Sequence, residues 1–174
     1  RVHPTLIPAE QLIANVNGVK NAVLVQAHAV GPTLYYGAGA GAGPTASAVV
    51  ADVIDIVRDI SYTEDGAGTI PQLAFEALTN VPILSREQMT TGYYIRLNAE
   101  DQTGVLADVT TILSRAGISI DAIMQQSRLK DLIPIVILTD PVLESKMDEA
   151  LAQIQALPTI HGEIIRIRLE SLDS

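Results

Sequence analysis

The stretch YYIRLNAEDQTGVLADVTTILSRAGISIDAIMQQ, Tyr93–Gln126, decides the fold of the second half of the chain. YYIRLNA at its start predicts a strand, and ISIDAIMQQ at its end predicts another. Between them, GVLADVTTILSRAG places apolar residues at helical spacing, and the buried face of this helix comprises Val105, Leu106, Val109, Ile112, Leu113 and Ala116. Gly117 suits the left-handed position that ends such a helix.

The rest of the second half adds three elements. IPIVILT (Ile133–Thr139) predicts a strand, VLESKMDEALAQIQAL (Val142–Leu157) predicts a helix that Pro158 ends, and EIIRIRLES (Glu163–Ser171) alternates as a half-buried strand does. The apolar face of the helix comprises Leu143, Met147, Ala150, Leu151 and Ile154. The order β-α-β-β-α-β predicts a ferredoxin-like domain of the α+β class. Because this fold has no built-in catalytic site, its function depends on particular residues.

The first half predicts a partial α/β segment. PAEQLIANVNG (Pro8–Gly18) has the proline and glycine that flank a short helix. Two short strands then follow, Ala22–Ala27 and Thr33–Tyr36, joined by a turn near His28–Pro32.

GAGAGAGPTASAVVADV, Gly37–Val53, is a glycine-rich loop that leads into a helix. One face of this helix is apolar, with Ala46, Val49, Val50, Val53, Ile54, Val57 and Ile60, while the other carries Asp52, Asp55 and Asp59. After the helix, Ser61–Thr69 predicts an exposed loop, and Ile70–Leu84, interrupted by two prolines, predicts irregular structure.

The glycine loop matches the looser dinucleotide-binding fingerprint G-x-G-x-x-A at Gly37, Gly39 and Ala42. Asp59 lies about twenty residues further on, where a ribose-binding acid is sought. That acid should end a second parallel strand, but Asp59 continues the helix, and the strand before the loop belongs to a hairpin. The match is therefore a weak indication of a nucleotide-binding domain.

Two interpretations of the glycine loop remain on pattern alone. Small residues let the backbone lie close to a ligand, and a helix that begins at Pro44 and Thr45 offers free N–H groups and a partial positive charge. The loop then lines a cofactor whose main site lies elsewhere. Alternatively, the small residues only permit close packing of the helix.

The composition excludes several classes of function. With 11 Lys and Arg against 20 Asp and Glu, the net charge of -9 argues against nucleic acids and anionic membranes as partners. The chain has no cysteine for a zinc or disulfide framework, which fits a reducing cytoplasm, and no apolar run long enough to span a membrane. Its 174 residues suffice for one domain or two small ones. RVHPTLIP at the start has no initiator methionine and is typical of the end of a strand that enters a turn, so we expect the chain to be a fragment.

The first half, NAVLVQAHAVGPTLYYGAGAGAGPTASAVVADVIDIVR (Asn21–Arg58), closely resembles the C-terminal part of the catalytic region of bacterial homoserine dehydrogenases. Its GAGAGxxPTASAVVAD core is a far more specific signature than a bare glycine fingerprint. The second half, from YYIRLNAEDQTG onward, resembles an ACT domain, the small regulatory module that follows the catalytic region in these enzymes. The resemblance implies residues 1–88 for the catalytic part and residues 89–174 for the ACT domain.

The resemblance implies an enzyme of threonine, methionine and isoleucine biosynthesis that interconverts L-homoserine and L-aspartate 4-semialdehyde with NAD(P). The family's dinucleotide-binding domain and its catalytic lysine and acidic residues lie upstream of the signature, so we expect this chain alone to be inactive and assign it no catalytic residue. The resemblance implies that Gly39, Ala40 and Gly41 contact the cofactor from the far side of the cleft. Thr45 opens the helix that packs onto the missing domain.

The ACT resemblance also implies a site for a free amino acid, L-threonine in this family, where two ACT domains pair. The site combines the loop Asn98–Leu106 with the facing second strand. Asp101 is the expected ammonium acceptor, Gly104 permits close backbone approach, and the helix N-terminus receives the carboxylate. The expected effector-binding set is Asn98, Asp101, Gly104, Val105, Leu106, Gln125 and Gln126. The alternative is that Asp101 or Thr103 only caps the helix and both glutamines face solvent.

Other polar residues carry no catalytic pattern. His3, His28 and His161 lack metal-ligand spacing and fit surface or turn roles, and Glu64 and Asp65 belong to a solvated loop. The apolar stripe of Val49, Val53 and Val57 favours oligomerisation. Two rival functions remain, an amino-acid-sensing protein without catalysis and a structural dimerisation module. The glycine signature of the first half discriminates against the sensor, which has no need for it, while the dimerisation module differs only by an ACT site that binds no ligand.

Overall fold

The computed structural model describes residues 2–63, 79–125 and 132–172. The chain folds as two compact units. The C-terminal unit comprises Arg1–Pro8 with Ile83–Asp173, and the hairpin–helix unit comprises Ala9–Pro82. Residues 2–8 therefore belong to the same unit as the second half of the chain. The division into residues 1–88 and 89–174 that the family resemblance implies stays a prediction.

The C-terminal unit is built on a mixed sheet whose strands are β1 Thr5–Leu6, β4 Thr90–Glu100, β5 Ile120–Gln125, β6 Leu132–Thr139, β7 Val142–Leu143 and β8 Ile160–Leu169. The strand order is β1-β8-β4-β6-β5, and β7 pairs with the start of β4. The four long strands β8, β4, β6 and β5 pair antiparallel throughout. This order, with helices between β4 and β5 and between β6 and β8, confirms the predicted βαββαβ pattern.

Two helices, α2 Val105–Arg115 and α3 Glu144–Gln155, close the core against the sheet. Alternate residues of β4 point into this core, and they are buried to 1% exposure or less: Tyr93, Ile95, Leu97 and Ala99. The helices contribute buried side chains at the predicted spacing, namely Val105, Val109 and Leu113 from α2 and Met147, Ala150 and Ile154 from α3. Leu106, Ile112, Ala116 and Leu151 are partly buried against them, and Gly117 has the expected positive φ of 70°.

The strand predicted within RVHPTLIP is β1, whereas the short strand β7 was not predicted. β1 pairs in parallel with the end of β8, Thr5 opposite Arg168 and Leu6 opposite Leu169, and adds a strand to the edge of the ferredoxin-like sheet. β7 pairs with Thr90 and Thr91. The prediction that Leu143 lies on the buried face of the second helix is wrong, because Leu143 belongs to β7 and α3 begins one residue later.

The hairpin–helix unit contains β2 Lys20–Ala27, β3 Gly31–Ala38 and α1 Ala42–Thr63. β2 and β3 pair antiparallel from Lys20 opposite Ala38 to Ala27 opposite Gly31, which confirms the predicted hairpin with longer strands. The short helix predicted in Pro8–Gly18 is only a 3-10 turn at Leu12–Asn15. The loop predicted for Ser61–Thr69 is wrong at its start, because α1 continues to Thr63. Its remainder, and Ile70–Leu78 of the segment predicted as irregular, lie outside the described residues.

A buried ion cluster joins α3 to its neighbours in the C-terminal unit. The Glu144 side chain is fully buried, and Arg168 of β8 donates to both of its oxygens, with Nε 3.0 Å from Oε2. Arg86 Nε donates to Glu144 Oε1 at 2.9 Å, while Arg166 Nη2 lies 3.7 Å from the same oxygen. Asp148, one turn later on α3, accepts from Arg86 and Arg166. We call these five residues the Glu144 cluster.

The Glu144 cluster explains why a carboxylate is tolerated in the core. Burial alone disfavours the charged form, but hydrogen bonds from Arg168 and Arg86 outweigh this effect and lower the pKa of Glu144. Its position in the first turn of α3 adds the favourable end of the helix dipole. The backbone N–H of Glu144 donates to Met89 O at 2.8 Å, so the charge and the backbone of this residue are both satisfied.

Tyr93 lies against the same cluster. The Arg166 guanidinium is 5.4 Å from the centre of the Tyr93 ring, within the range of a cation–π contact. Burial and the negative charge of Glu144 raise the pKa of the Tyr93 hydroxyl. The Tyr93 hydroxyl oxygen is buried and makes no hydrogen bond with the described residues. The core therefore holds it as a neutral phenol.

Replacing Glu144 with glutamine should destabilise the C-terminal unit by about 3 kcal/mol, because the largely buried Arg166 and Arg168 lose the charge that compensates their burial and Arg86 loses an ion pair. The exposed Glu149→Gln on the same helix is the matched control, with an expected change below about 0.5 kcal/mol. Amide hydrogen exchange in β4 and α3 measures both variants.

The difference between the wild-type chain and Glu144→Gln should depend on pH. Since the folded-state pKa of Glu144 is lowered, its stabilisation is complete above the pKa of the unfolded chain and is lost as pH falls through the folded value. The two proteins should therefore converge in stability in acid. A difference that persists unchanged to low pH, or a Glu149→Gln effect of equal size, would contradict the assigned role.

Candidate effector and cofactor sites

The loop between β4 and α2 forms the floor of the predicted effector site. Gly104 has φ of 96° and is the N-cap residue of α2, and the Asp108 N–H donates to Gly104 O at 2.9 Å. The N-terminal N–H groups of α2 lack acceptors within the helix, so they suit a carboxylate. The N-cap position is held by Gly104 and not by Asp101 or Thr103, so the alternative that made one of those two residues the N-cap is wrong.

The expected effector residues do not all present side chains at this loop. Val105 is only 5% exposed and Leu106 packs against the core, so these two residues offer backbone groups alone. Asp101 is exposed in the loop, and Asn98 is half-buried near the end of β4. The loop therefore combines helix N–H groups with one exposed carboxylate.

Gln125 lies at the same end of the sheet as the loop. It is exposed at the end of β5 and pairs with Ile135 of β6, which pairs in turn with Leu97 of β4. Because β6 lies between β5 and β4, the two strands are about 10 Å apart. Gln125 is therefore near the loop but not adjacent to it. Gln126 lies outside the described residues.

Three residues at the predicted site were not among the expected effector residues, namely Glu100 and Gln102 within the loop and His161 beside it. His161 Nε2 is 2.8 Å from Glu100 Oε1, and Gln102 Nε2 donates to Glu100 Oε2 at 2.7 Å. His161 also lies opposite Asn98 in the pairing of β8 with β4. His161 is exposed, as expected, but pairs with a carboxylate at the predicted site. The register of β8 on β4 brings these residues together, and no local sequence signal encodes that register.

The glycine loop connects β3 to α1. The Gly39 N–H donates to Val19 O at 2.8 Å, and a Cβ on Gly39 would lie 2.2 Å from the Asn21 side-chain nitrogen, so no larger residue fits there without displacing Asn21. Gly41 has φ of 128°, a conformation that favours glycine. Like these two glycines, Ala40 and Thr45 are exposed.

One detail of the cofactor prediction is wrong. The Thr45 N–H is not free, because it donates to Gly41 O at 3.1 Å, and Pro44 has no N–H. The helix begins earlier than expected, at Ala42. Ala42 and Gly43 are the first residues of the helix, so no helical carbonyl precedes them to accept hydrogen bonds from their N–H groups. These groups and the small-residue loop fit a secondary contact to the phosphates of a dinucleotide.

The glycine loop is not a dinucleotide-binding fingerprint. β3 pairs antiparallel with β2 in a two-stranded sheet, and Asp59 lies within α1 rather than at the end of a strand. Both observations confirm the reasons for treating the match as weak. In the described parts of the chain, His, Cys, Asp and Glu form no group of three or more that is arranged to hold a metal ion. No described helix has the length and apolar character needed to cross a membrane.

Two family models match the chain in the order expected. The model for homoserine dehydrogenase matches residues 1–54, and the model for the ACT domain matches residues 93–159. The ACT match spans β4 to α3 of the C-terminal unit, and the homoserine dehydrogenase match includes the hairpin and the glycine loop.

Relatives with both parts cover nearly the whole chain. A homoserine dehydrogenase of Pseudomonas aeruginosa is 51% identical and one of Neisseria gonorrhoeae is 47% identical, each over 99% of this chain. The crystal structure of a homoserine dehydrogenase from Thiobacillus denitrificans matches 99% of the chain with 52% identity and a TM-score of 0.85. The chain spans only 40% of the two curated relatives and 39% of the crystallised protein.

The βαββαβ sheet and the matching family model define the C-terminal unit as carrying an ACT domain, a regulatory class of module. The chain belongs to the homoserine dehydrogenase family and corresponds to the C-terminal part of these proteins.

Replacing Gly104 with alanine should destabilise the C-terminal unit by about 1–2 kcal/mol, because alanine is strained at its positive φ although nothing lies within 4 Å of the new Cβ. Gly43→Ala is the matched control, since Gly43 is helical and also has open space around it. That variant should be neutral or slightly stabilising. Thermal unfolding followed by circular dichroism measures both, and a neutral Gly104→Ala would show that the backbone there is not constrained.

Proposed function

We propose that this chain is the C-terminal part of an NAD(P)-dependent homoserine dehydrogenase, which interconverts L-homoserine and L-aspartate 4-semialdehyde in the biosynthesis of threonine, methionine and isoleucine. The observation that carries the proposal is 51% identity to a homoserine dehydrogenase across both halves of the chain. A sensor or dimerisation module without catalysis has no need for the glycine loop, so neither alternative is favoured. The proposed location is the cytoplasm.

The hairpin–helix unit supplies a secondary contact to the cofactor under this proposal. NAD(P) supplies the hydride acceptor or donor of the reaction. Gly39, Ala40 and Gly41 let the backbone approach the cofactor, and the free N–H groups at the start of α1 favour its negative charge. Thr45 sits in the first turn of α1. Its apolar face, with Val49, Val53 and Val57 each more than 50% exposed, packs on the domain that precedes this part in the relatives.

The ACT domain binds L-threonine as a feedback effector under the same proposal. The free N-terminus of α2 receives the amino-acid carboxylate, and Asp101 accepts the ammonium group. Gln125 contacts the ligand from the end of β5 and Gln126 is a further expected contact, while Asn98, Gly104, Val105 and Leu106 shape the loop. β5 is the edge of the described sheet, and its Ile123 and Met124 are 36% and 53% exposed. These features favour side-by-side pairing of two copies along this edge, which brings a second set of residues to the site.

The enzyme activity is tested by joining this chain to the upstream part of the Pseudomonas aeruginosa relative. The chimera should oxidise L-homoserine with NAD(P), whereas this chain alone should show no activity. In the chimera, Gly41→Val should raise the KM for the cofactor about tenfold. Valine is strained at the positive φ of this position, and its side chain occupies the space in which the cofactor would lie against the backbone. Gly37→Ala, which meets open space at an ordinary φ, is the control. An inactive but folded chimera would contradict the proposal.

The effector site is tested by calorimetric titration of L-threonine into this chain, with L-homoserine and L-lysine as controls. Threonine should bind selectively with a dissociation constant below about 1 mM. Asp101→Asn should weaken it about tenfold by removing the charge that pairs with the ammonium group. Asp108→Asn, which is exposed on the first turn of α2, should change it little. Absence of heat would leave the ACT domain as a dimerisation scaffold.

A further inference from the structure

A second pocket of the C-terminal unit lies away from the effector loop. It has a volume of about 640 Å³ and is bordered by residues 2–3, the segment 83–90 and the end of β8. Its size is within the range of small-molecule sites. All of its lining residues belong to the C-terminal unit.

The walls of this pocket are mainly aliphatic, with His3 and Thr90 as further polar lining residues, and its charged groups are two arginines. Val2, Ile83, Leu84 and Met89 line it, and Arg86 and Arg168 are its two guanidinium groups. No Asp or Glu is among the described residues that line it. The pocket therefore combines an aliphatic surface with positive charge.

The Glu144 cluster holds both guanidinium groups in place. Arg86 Nε and Arg168 Nη2 bind the same Glu144 oxygen, so the two groups lie side by side. In the described part of the chain, the Nη1 atom of each makes no hydrogen bond. Guanidinium groups fixed by bonds on one edge retain donors for an anion on the other, at little further cost in conformational entropy.

The charge of the Glu144 cluster favours an additional anion. Its three arginines face two carboxylates, Glu144 and Asp148, so the cluster has a net charge of +1. The pKa of Glu144 is lowered and the pKa of Tyr93 is raised, so neither changes this balance near neutral pH. One further negative charge makes the cluster neutral.

We propose that the pocket bordered by Arg86 and Arg168 binds a small carboxylate that carries a short aliphatic group. The carboxylate pairs with the free guanidinium donors, and the aliphatic group contacts Ile83, Leu84 and Met89. This site differs from the loop between β4 and α2 in position and in its lining. The proposal rests only on the structure of the C-terminal unit, so it can be tested independently of the dehydrogenase activity and of threonine binding.

Isovalerate is the probe for this site, with isoamyl alcohol and isoamylamine as uncharged and cationic analogues. NMR amide spectra of this chain should show saturable shifts with isovalerate in residues 84–90 and in Arg168, with a dissociation constant in the low millimolar range. The alcohol and the amine should leave these signals unchanged at the same concentrations. Equal binding of the alcohol would overturn the proposal, as would shifts confined to the loop between β4 and α2.

Two charge variants make the test specific. Arg86→Gln should weaken isovalerate binding about tenfold, whereas Arg58→Gln, an exposed arginine of α1 with one carboxylate partner, should not. Asp148→Asn leaves the cluster with a higher net charge and should tighten binding about threefold. The gain with Asp148→Asn cannot arise from loss of folding. Unchanged binding in Arg86→Gln, or unchanged or weaker binding in Asp148→Asn, would overturn the proposal.

Discussion

The Glu144 carboxylate is the point at which separate segments of the C-terminal unit meet. It lies at the start of α3, binds Arg168 on β8 and Arg86 in the segment before β4, and has Arg166 nearby. Arg166 and Arg168 are largely buried and are tolerated there because this carboxylate lies between them, and the carboxylate is tolerated because arginines surround it. One buried charge thus fixes the start of α3, the end of β8 and the segment that leads into β4.

The two units serve different roles in the proposed enzyme. The hairpin–helix unit offers small residues, free helix N–H groups and an exposed apolar face, which are features that need a larger protein around them. The C-terminal unit has its own core, with residues of β4, α2 and α3 buried almost completely. A module that folds around its own core holds the geometry of its ligand-binding loop without support from other domains.

Local pattern predicted most of the C-terminal fold. Helical spacing identified α2 and α3 with their buried faces, because each helix buries one stripe against a single sheet. Pattern failed at element boundaries. Leu143 fits the stripe of α3 by spacing but pairs with Thr90 across the sheet. The strand end predicted in RVHPTLIP had neither bounds nor a partner, because the two residues of β1 are too few to alternate visibly. Both depend on partners more than fifty residues away in the chain.

The candidate sites divide in the same way. The sequence by itself determined the glycine loop and the loop that ends at Gly104, since positive φ values and small side chains are local requirements visible in residue type. It also determined family membership through the signature of the first half. Only the tertiary structure decided that Glu100 meets His161, that Arg86, Arg166 and Arg168 converge on Glu144, and that a cationic pocket results. The alternation of β8 showed that one face is buried, but charges on that face become tolerable only when strand register and helix placement bring a counter-charge within reach.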